Sequence, residues 1–128
     1  MAEDNATKRG EFTAKLERAI NASDKTQTEI AMMCGYNNPN VITMIKRGSS
    51  RLPLDKVATI AQALDLDPAE LMKEWIATYI PEAKRDMETH LLIDMTPEER
   101  SWIRGLRRTI GQVPMFNTKF AEMVRGAL

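Results

Sequence analysis

Amide, hydroxyl and cationic side chains are concentrated between Asn37 and Arg51, in a stretch that contains no acidic residue. An asparagine amide offers one donor and one acceptor, which match the edge that adenine presents in the major groove of DNA. Asn37, Asn38 and Asn40 each offer this pair of groups, and the Thr43 hydroxyl could reach either a base or a phosphate. The apolar Val41 and Met44 could contact the methyl group of thymine.

Positive charge in this chain is local. Lys plus Arg and Asp plus Glu both number 18, so the formal net charge is zero. Residues 1–53 nevertheless carry +2, residues 54–100 carry −6 and residues 101–128 carry +4. Phosphate contacts need positive charge only at the surface that touches DNA. Four cations with one acid among them provide such a patch: Lys25, Lys46, Arg47 and Arg51, with Glu29.

These same residues also have purely structural interpretations. Asparagines are common in turns and as helix N-caps, which would explain Asn37, Asn38 and Asn40 without any ligand. We expect Asn38 to cap a helix in either case. Lys46 and Arg47 could simply complement the negative C-terminal end of the helix that carries them.

Helical spacing and capping signals dominate the chain, so we predict an all-α protein. The first helix is expected from Gly10 to Asn21. Thr26 and Glu29 form a capping box that starts the second helix, which should end near Cys34 because Gly35 can adopt left-handed angles. Three later helices are indicated by an asparagine, aspartate or threonine cap before a proline, and another by apolar residues at helical spacing from Leu54 to Leu64. They are predicted at residues 38–48, 54–64, from 67 to Pro81 and from 96 to 110, with a last one after Asn117.

The predicted organisation has three parts. Residues 1–9 are expected to be disordered, residues 10–80 to form a compact five-helix domain, and residues 81–128 to form a helical extension. Large apolar side chains in the extension are too numerous for a solvated tail, and we predict that they bury a dimer interface. The residues concerned are Trp102, Ile103, Leu106, Ile110, Phe116 and Phe120.

The segment from Thr26 to Met72 resembles the Cro/C1-type helix-turn-helix family of phage repressors and bacterial regulators. The matching positions are Gln27, Glu29, Ile30, Ala31, Gly35, Ile42, Ile45, Arg47, Gly48, Ala58, Ala61, Leu64, Leu66 and Leu71. The resemblance covers about residues 10–75 and implies a five-helix, lambda-repressor-like DNA-binding domain whose third helix enters the major groove. The segment from Gly35 to Gly48, which contains the turn and the third helix, is one residue longer than the corresponding segment of the family.

The resemblance also implies which residues touch DNA. When the chain is aligned with the family backward from Arg47-Gly48, the principal base-reading positions fall on Pro39, Asn40 and Met44. Pro39 has no side-chain donor, so Asn38 is expected to take over its role. The base-reading set is thus Asn38, Pro39, Asn40, Val41, Thr43 and Met44. The set expected on the DNA backbone is Gln27, Asn37, Lys46, Arg47, Ser49 and Arg51. Backbone contacts position a protein on DNA and carry little sequence information.

The implied function is sequence-specific regulation of transcription by a homodimer. The resemblance implies repression, and activation by contact is equally compatible with the sequence. Palindromic operators require two-fold symmetry, with half-sites about 34 Å apart. The alternative is an antitoxin-like module whose C-terminal helices bind a protein partner. A basic cluster in the extension could pair with the acids of residues 65–99, contact DNA or be an ordinary charged surface: Arg104, Arg107, Arg108, Lys119 and Arg125.

Catalytic and metal-binding motifs are missing from the sequence. We find no glycine-rich phosphate loop, nucleophile elbow or zinc-protease motif, so we expect no enzyme activity and no cofactor. Cys34 is interpreted as a small buried hydrophobe, and His90 has no second histidine to share a metal. With one cysteine, no apolar run of about 20 residues and no secretory signal, the chain is expected in the cytoplasm. It would associate with the nucleoid when bound to DNA, and no membrane contact is expected.

Overall fold

The computed structural model describes residues 2–111 and 117–127, with side chains for residues 6–111, 117–119 and 121–126. Every regular element in these ranges is helical, which confirms the all-α prediction. The elements are α1 (Ala2–Ala22), α2 (Gln27–Met33), α3 (Asn40–Arg47), a 3-10 turn (Leu54–Lys56), α4 (Val57–Ala63), α5 (Pro68–Tyr79), α6 (Pro81–Leu91), α7 (Pro97–Ile110) and α8 (Thr118–Ala127). The chain divides into two compact units, Met1–Ile93 and Asp94–Leu128.

The core of the first unit is built by the inner faces of α1 to α5. On α1, the buried side chains recur every four residues, which places them on one helical face. The core residues are Phe12, Leu16, Ile20, Ile30, Ala31, Cys34, Ile42, Ile45, Leu52, Val57, Ile60, Ala61, Ala63, Leu64, Leu71, Trp75 and Ile76. Their burial packs α3 against α1 and α2, α2 against α4, and α5 against α1 and α4.

The N-terminal end of α1 differs from the prediction. Helix begins at Ala2 instead of Gly10, so residues 2–9 are helical where disorder was expected. The side chains of residues 6–11 are exposed, and their lack of apolar character led to the expectation of disorder. Helix propagation is nevertheless inexpensive once a nucleus exists, and Phe12 and Leu16 anchor such a nucleus in the core.

Helices α4 and α5 hold the segment that follows α3. Leu54–Lys56 forms a 3-10 turn, so regular helix starts at Val57 rather than at Leu54. Asp67 caps α5 as predicted, since its carboxylate accepts hydrogen bonds from the backbone N–H groups of Ala69 and Glu70. The indole Nε1 of Trp75 donates a buried hydrogen bond of 2.7 Å to the carbonyl of Leu52. This bond joins the loop after α3 to the middle of α5.

Helix α6 extends the first unit beyond its predicted end at residue 80. Pro81 ends α5, as expected, and it also occupies the first position of α6, where its missing N–H costs nothing. Met87 on α6 and Ile93 after it pack against the core. The sequence predicts the boundary between the domain and the extension near residues 80–95, and the packed unit ends at Ile93.

The second unit contains the two helices of the extension. Thr96 and Glu99 form the predicted capping box of α7, and Gly111 ends this helix with φ +76. Of the proposed interface residues on α7, Trp102 is 62% exposed and Ile110 is 52% exposed, while Ile103 and Leu106 are half-buried. Phe116 lies outside the described residues, and Phe120 lies on α8 with its side chain outside the described set.

Two glycines of the first unit should respond oppositely to substitution by alanine. Gly48 has φ +78, and an added Cβ would lie 3.2 Å from Cγ2 of Thr13 on α1. We expect Gly48→Ala to lower the free energy of unfolding by about 1–2 kcal/mol. Gly10 lies inside α1 with nothing within 4 Å of such a Cβ. Gly10→Ala should therefore raise the free energy of unfolding by about 0.5–1 kcal/mol.

Urea unfolding of both variants, followed by circular dichroism, measures these changes. The comparison separates left-handed backbone strain from the general effect of adding a methyl group. Equal stabilisation by both substitutions would show that Gly48 has no conformational role in ending α3.

Candidate nucleic-acid interface

Helix α2 is fixed at both of its ends by local hydrogen bonds. Thr26 Oγ1 accepts from the N–H of Glu29, and the Glu29 carboxylate accepts from the N–H of Thr26, so the predicted capping box is present. At the other end Gly35 has φ +80, and its N–H donates to the carbonyl of Met32. The N–H of Tyr36 donates to the carbonyl of Ala31 at 2.8 Å, which completes a Schellman motif.

The longer turn between α2 and α3 is packed rather than loose. Tyr36 lies partly buried against the core, and Nζ of Lys56 is 5.4 Å from the centroid of its ring. The side-chain oxygen of Asn38 accepts from the N–H of Asn40 at 2.9 Å, which confirms that Asn38 caps α3. Pro39 already has helical angles, φ −65 and ψ −16, as expected for the first helical position.

Helix α3 presents an outward stripe, which consists of Asn40, Met44 and Arg47. These residues are spaced i, i+4 and i+7, so they lie on one side of the helix, and all three are exposed. Ile42 and Ile45 lie on the opposite side and are buried in the core. Among the other residues proposed for base readout, Val41 packs partly against the core and Pro39 is half-buried.

A side-chain hydrogen bond joins α2 to α3 beside the outward stripe. The hydroxyl of Thr43 donates to Oε1 of Gln27, the first residue of α2, at 2.7 Å. With its oxygen thus engaged, the Gln27 amide keeps its N–H donors for another acceptor. The structure therefore brings together a residue proposed for base readout and one proposed for backbone contact.

The remaining residues proposed for backbone contact lie at or beyond the ends of α3. Lys46 and Arg47 occupy its last turn, and Gly48 ends it with φ +78. The hydroxyl of Ser49 donates to the carbonyl of Met44 at 3.1 Å, so it helps to finish the helix. Asn37 is exposed in the turn before α3.

The cationic patch predicted from sequence is rearranged in the structure. Nζ of Lys25 lies 4.0 Å from the carboxylate of Asp65, which partly offsets its charge. Arg9, which the sequence analysis placed in a disordered segment, instead lies on α1 and lines a shallow groove together with Lys46 and Arg47. The signal that could have found Arg9 is its place one turn before the buried Phe12 on a continuous helix.

Metal and thiol chemistry has little support at this interface. Burial raises the pKa of the Cys34 thiol, and the nearby Lys56 ammonium lowers it by a smaller amount. The thiol is therefore protonated at neutral pH and behaves as a buried apolar group, as predicted. Within the described ranges, no three His, Cys, Asp or Glu residues are grouped so that they could hold a metal ion.

No helix in the described part of the chain combines the length and the apolar character needed to cross a membrane.

Comparison with known proteins identifies the first unit. Neither a curated protein nor a solved structure gives a match to the chain. The family model of the Cro/C1-type HTH DNA-binding domain matches residues 15–74, which include α2, α3, α4 and parts of α1 and α5. The resemblance noted in the sequence is thus confirmed. The chain carries, over residues 15–74, a DNA-binding domain of the Cro/C1-type helix-turn-helix family.

Proposed function

We propose that this chain is a transcriptional regulator that binds a specific double-stranded operator as a homodimer, with α3 in the major groove. The observation that carries the proposal is the rigid, exposed stripe of Asn40, Met44 and Arg47 on a helix whose inner side is buried. A dimer that covers a promoter excludes polymerase, so the proposed effect is repression. The protein would act in the cytoplasm and associate with the nucleoid while bound.

Asn40 is the main base-reading residue of this proposal. Its side chain is exposed, and its side-chain amide makes no hydrogen bond to another described residue. The hydrogen bond to Asn38 uses the backbone N–H of Asn40. It therefore keeps the donor and the acceptor that adenine requires in the major groove. Around it, the proposed base contacts come from Asn38, Pro39, Val41, Thr43 and Met44.

The proposed phosphate contacts surround this centre. Gln27 presents its amide N–H groups at the start of α2, and the positive end of that helix favours an anion there. Lys46 and Arg47 supply charge at the far end of α3, and Arg51 follows in the loop. Asn37 and Ser49 add polar groups at the two ends of α3. These contacts place the helix in the groove while Asn40 and Met44 of the stripe select the sequence.

The second unit supplies the proposed dimer interface. Trp102, Leu106 and Ile110 recur every four residues on α7, so they form an apolar side, to which Ile103 is adjacent. Trp102 and Ile110 are more than half exposed in the single chain. A second copy of α7 would bury this apolar surface. Such burial stabilises an interface by about 25 cal/mol for each Å² of apolar surface removed from water. Phe116 and Phe120 complete the proposed interface.

Asn40→Ala and Arg47→Ala are matched tests of the proposed base and backbone contacts. Both residues are exposed on the same stripe, so neither substitution should change the unfolding temperature much. Asn40→Ala should reduce discrimination between operator and scrambled DNA by about 1–3 kcal/mol. Arg47→Ala should weaken binding to both DNAs alike and lower the salt slope by about one.

The measurement is titration of the protein against DNA from upstream of its own gene and against a scrambled duplex, at two salt concentrations. Preference for the upstream DNA of order 10³-fold is expected for a specific regulator. An Asn40→Ala variant that loses affinity equally for both duplexes would contradict base readout by this residue.

A single substitution on α7 tests the dimer. Trp102→Glu places a charge within the proposed apolar interface. The variant should therefore be a monomer with the chain's mass of 14.5 kDa. Arg104→Glu lies on the other side of α7 and provides the control, which should remain dimeric. Light scattering after size-exclusion chromatography measures both masses.

A Trp102→Glu protein that stays dimeric would exclude α7 as the interface. A wild-type chain that is monomeric at micromolar concentration would favour the second candidate function, in which the same exposed apolar side binds a protein partner in the manner of an antitoxin.

A further inference from the structure

We infer that Arg9 and Tyr79 extend the DNA-binding surface: the Tyr79 ring is a platform that holds the guanidinium groups of Arg9 and Arg51 for a backbone phosphate beside the C-terminal end of α3. Arg9 is a phosphate-binding residue and Tyr79 a positioning residue in this account. The inference rests on the proposed DNA binding and assigns roles to two residues outside the sets named above.

The two arginines share one aromatic ring. The Cζ atom of Arg51 lies 4.3 Å from the centroid of the Tyr79 ring, and that of Arg9 lies 5.7 Å from it. Both distances fall within the range of cation–π attraction, which extends to about 6 Å. No ion pair found among residues 6–111 includes either arginine. Their N–H donors are therefore not engaged by a carboxylate of these residues and can meet an anion.

The platform itself is rigid. The ring of Tyr79 meets Phe12 of α1 edge-to-face, with centroids 5.7 Å apart and planes at 85°. On α5 it also contacts the ring of Trp75, with centroids 5.1 Å apart. Since the Trp75 indole donates to the carbonyl of Leu52, the backbone next to Arg51 is held by the same aromatic cluster. Both ends of the Arg51 side chain are thus fixed before any ligand arrives, which lowers the entropy cost of binding.

The position of Arg9 and Arg51 beside the end of α3 indicates that the anion they bind is a DNA phosphate. Arg9 lines the same groove as Lys46 and Arg47, and Glu17 is the one acidic residue among the groove's lining residues. Three segments of the first unit, α1, the end of α3 and the loop after it, therefore contribute cations to one region. Two like charges over one ring repel each other, and an anion between them relieves that repulsion. Guanidinium groups suit phosphate because their fork of donors matches two oxygens.

The hydroxyl of Tyr79 is not needed for this role. Burial raises the pKa of the Tyr79 phenol, an effect larger than the lowering by Arg51 and Arg9. The ring is consequently a neutral phenol throughout the pH range of DNA-binding experiments, and its attraction for cations comes from the aromatic face. A phenylalanine at position 79 should serve equally well.

The test compares full-length variants by fluorescence anisotropy: Arg9→Ala, Arg51→Ala, Tyr79→Leu, Tyr79→Phe, the double variant Tyr79→Leu/Arg51→Ala, and Arg18→Ala. The probe is a fluorescein-labelled DNA duplex of arbitrary sequence, because phosphate contacts do not depend on sequence, titrated between about 50 and 200 mM salt. Arg18 is exposed on α1 but lines a different groove with Glu74 and Thr78, so Arg18→Ala is the matched control. Circular dichroism at the assay temperature verifies that each variant is folded.

Arg9→Ala should weaken binding about tenfold and reduce the slope of log affinity against log salt by about 0.9. Tyr79→Leu should also weaken binding, and Tyr79→Phe should bind DNA with the affinity of the wild type. Adding Tyr79→Leu to Arg51→Ala should cost less affinity than Tyr79→Leu costs alone, because one of the two arginines that the platform holds is then absent.

The outcomes separate this inference from the proposed function. If the wild type binds DNA while Arg9→Ala and Tyr79→Leu behave like Arg18→Ala, DNA binding stands and the platform is rejected. Fully additive losses for Tyr79→Leu and Arg51→Ala would also reject it, because Tyr79 would then act through general stability. A wild type that binds no DNA at any salt concentration overturns the proposed function and this inference with it.

Discussion

Burial of Ile42 and Ile45 is the constraint on which the candidate interface depends. Helix α3 has eight residues, which is too short to be stable alone in water. Its existence and its rotation about its own axis are therefore both set by these two side chains in the core. Because a helix rotates by about 100° per residue, fixing the inner side at positions 42 and 45 also determines that positions 40, 44 and 47 point outward.

The ends of α3 are controlled as closely as its sides. The Asn38 side chain starts it, and Gly48 with the Ser49 N–H and hydroxyl ends it. Gly48 also lets α1 approach, since Thr13 lies where a Cβ at position 48 would be crowded. The bond between Gln27 and Thr43 then couples the start of α2 to the middle of α3. DNA would thus meet a surface whose backbone is already arranged.

Sequence reasoning succeeded where the determinants are local. The capping boxes at Thr26 and Thr96, the Asp67-Pro68 start and the left-handed glycines 35, 48 and 111 each depend on a few neighbouring residues. Residues 2–9 were expected to be disordered and are helical because α1 is anchored further along the chain. The packing of α6 through Met87 depends on residues distant in sequence, so local signals did not assign this helix to the first unit. The contacts of Arg51 and Arg9 with the Tyr79 ring could not be predicted, because the fold brings together residues that are far apart in the chain.

The charge of the first unit has a consequence for the search along a genome. Residues 1–93 contain twelve Lys and Arg against fourteen Asp and Glu, so the unit that carries the DNA-binding domain is slightly acidic. Most orientations of such a unit are repelled by a polyanion, and attraction is confined to the side where the cations of α1 and α3 lie. Under the proposed function, fewer molecules would then be held at the many competing sites of a chromosome, and a modest number of copies per cell would keep one operator occupied.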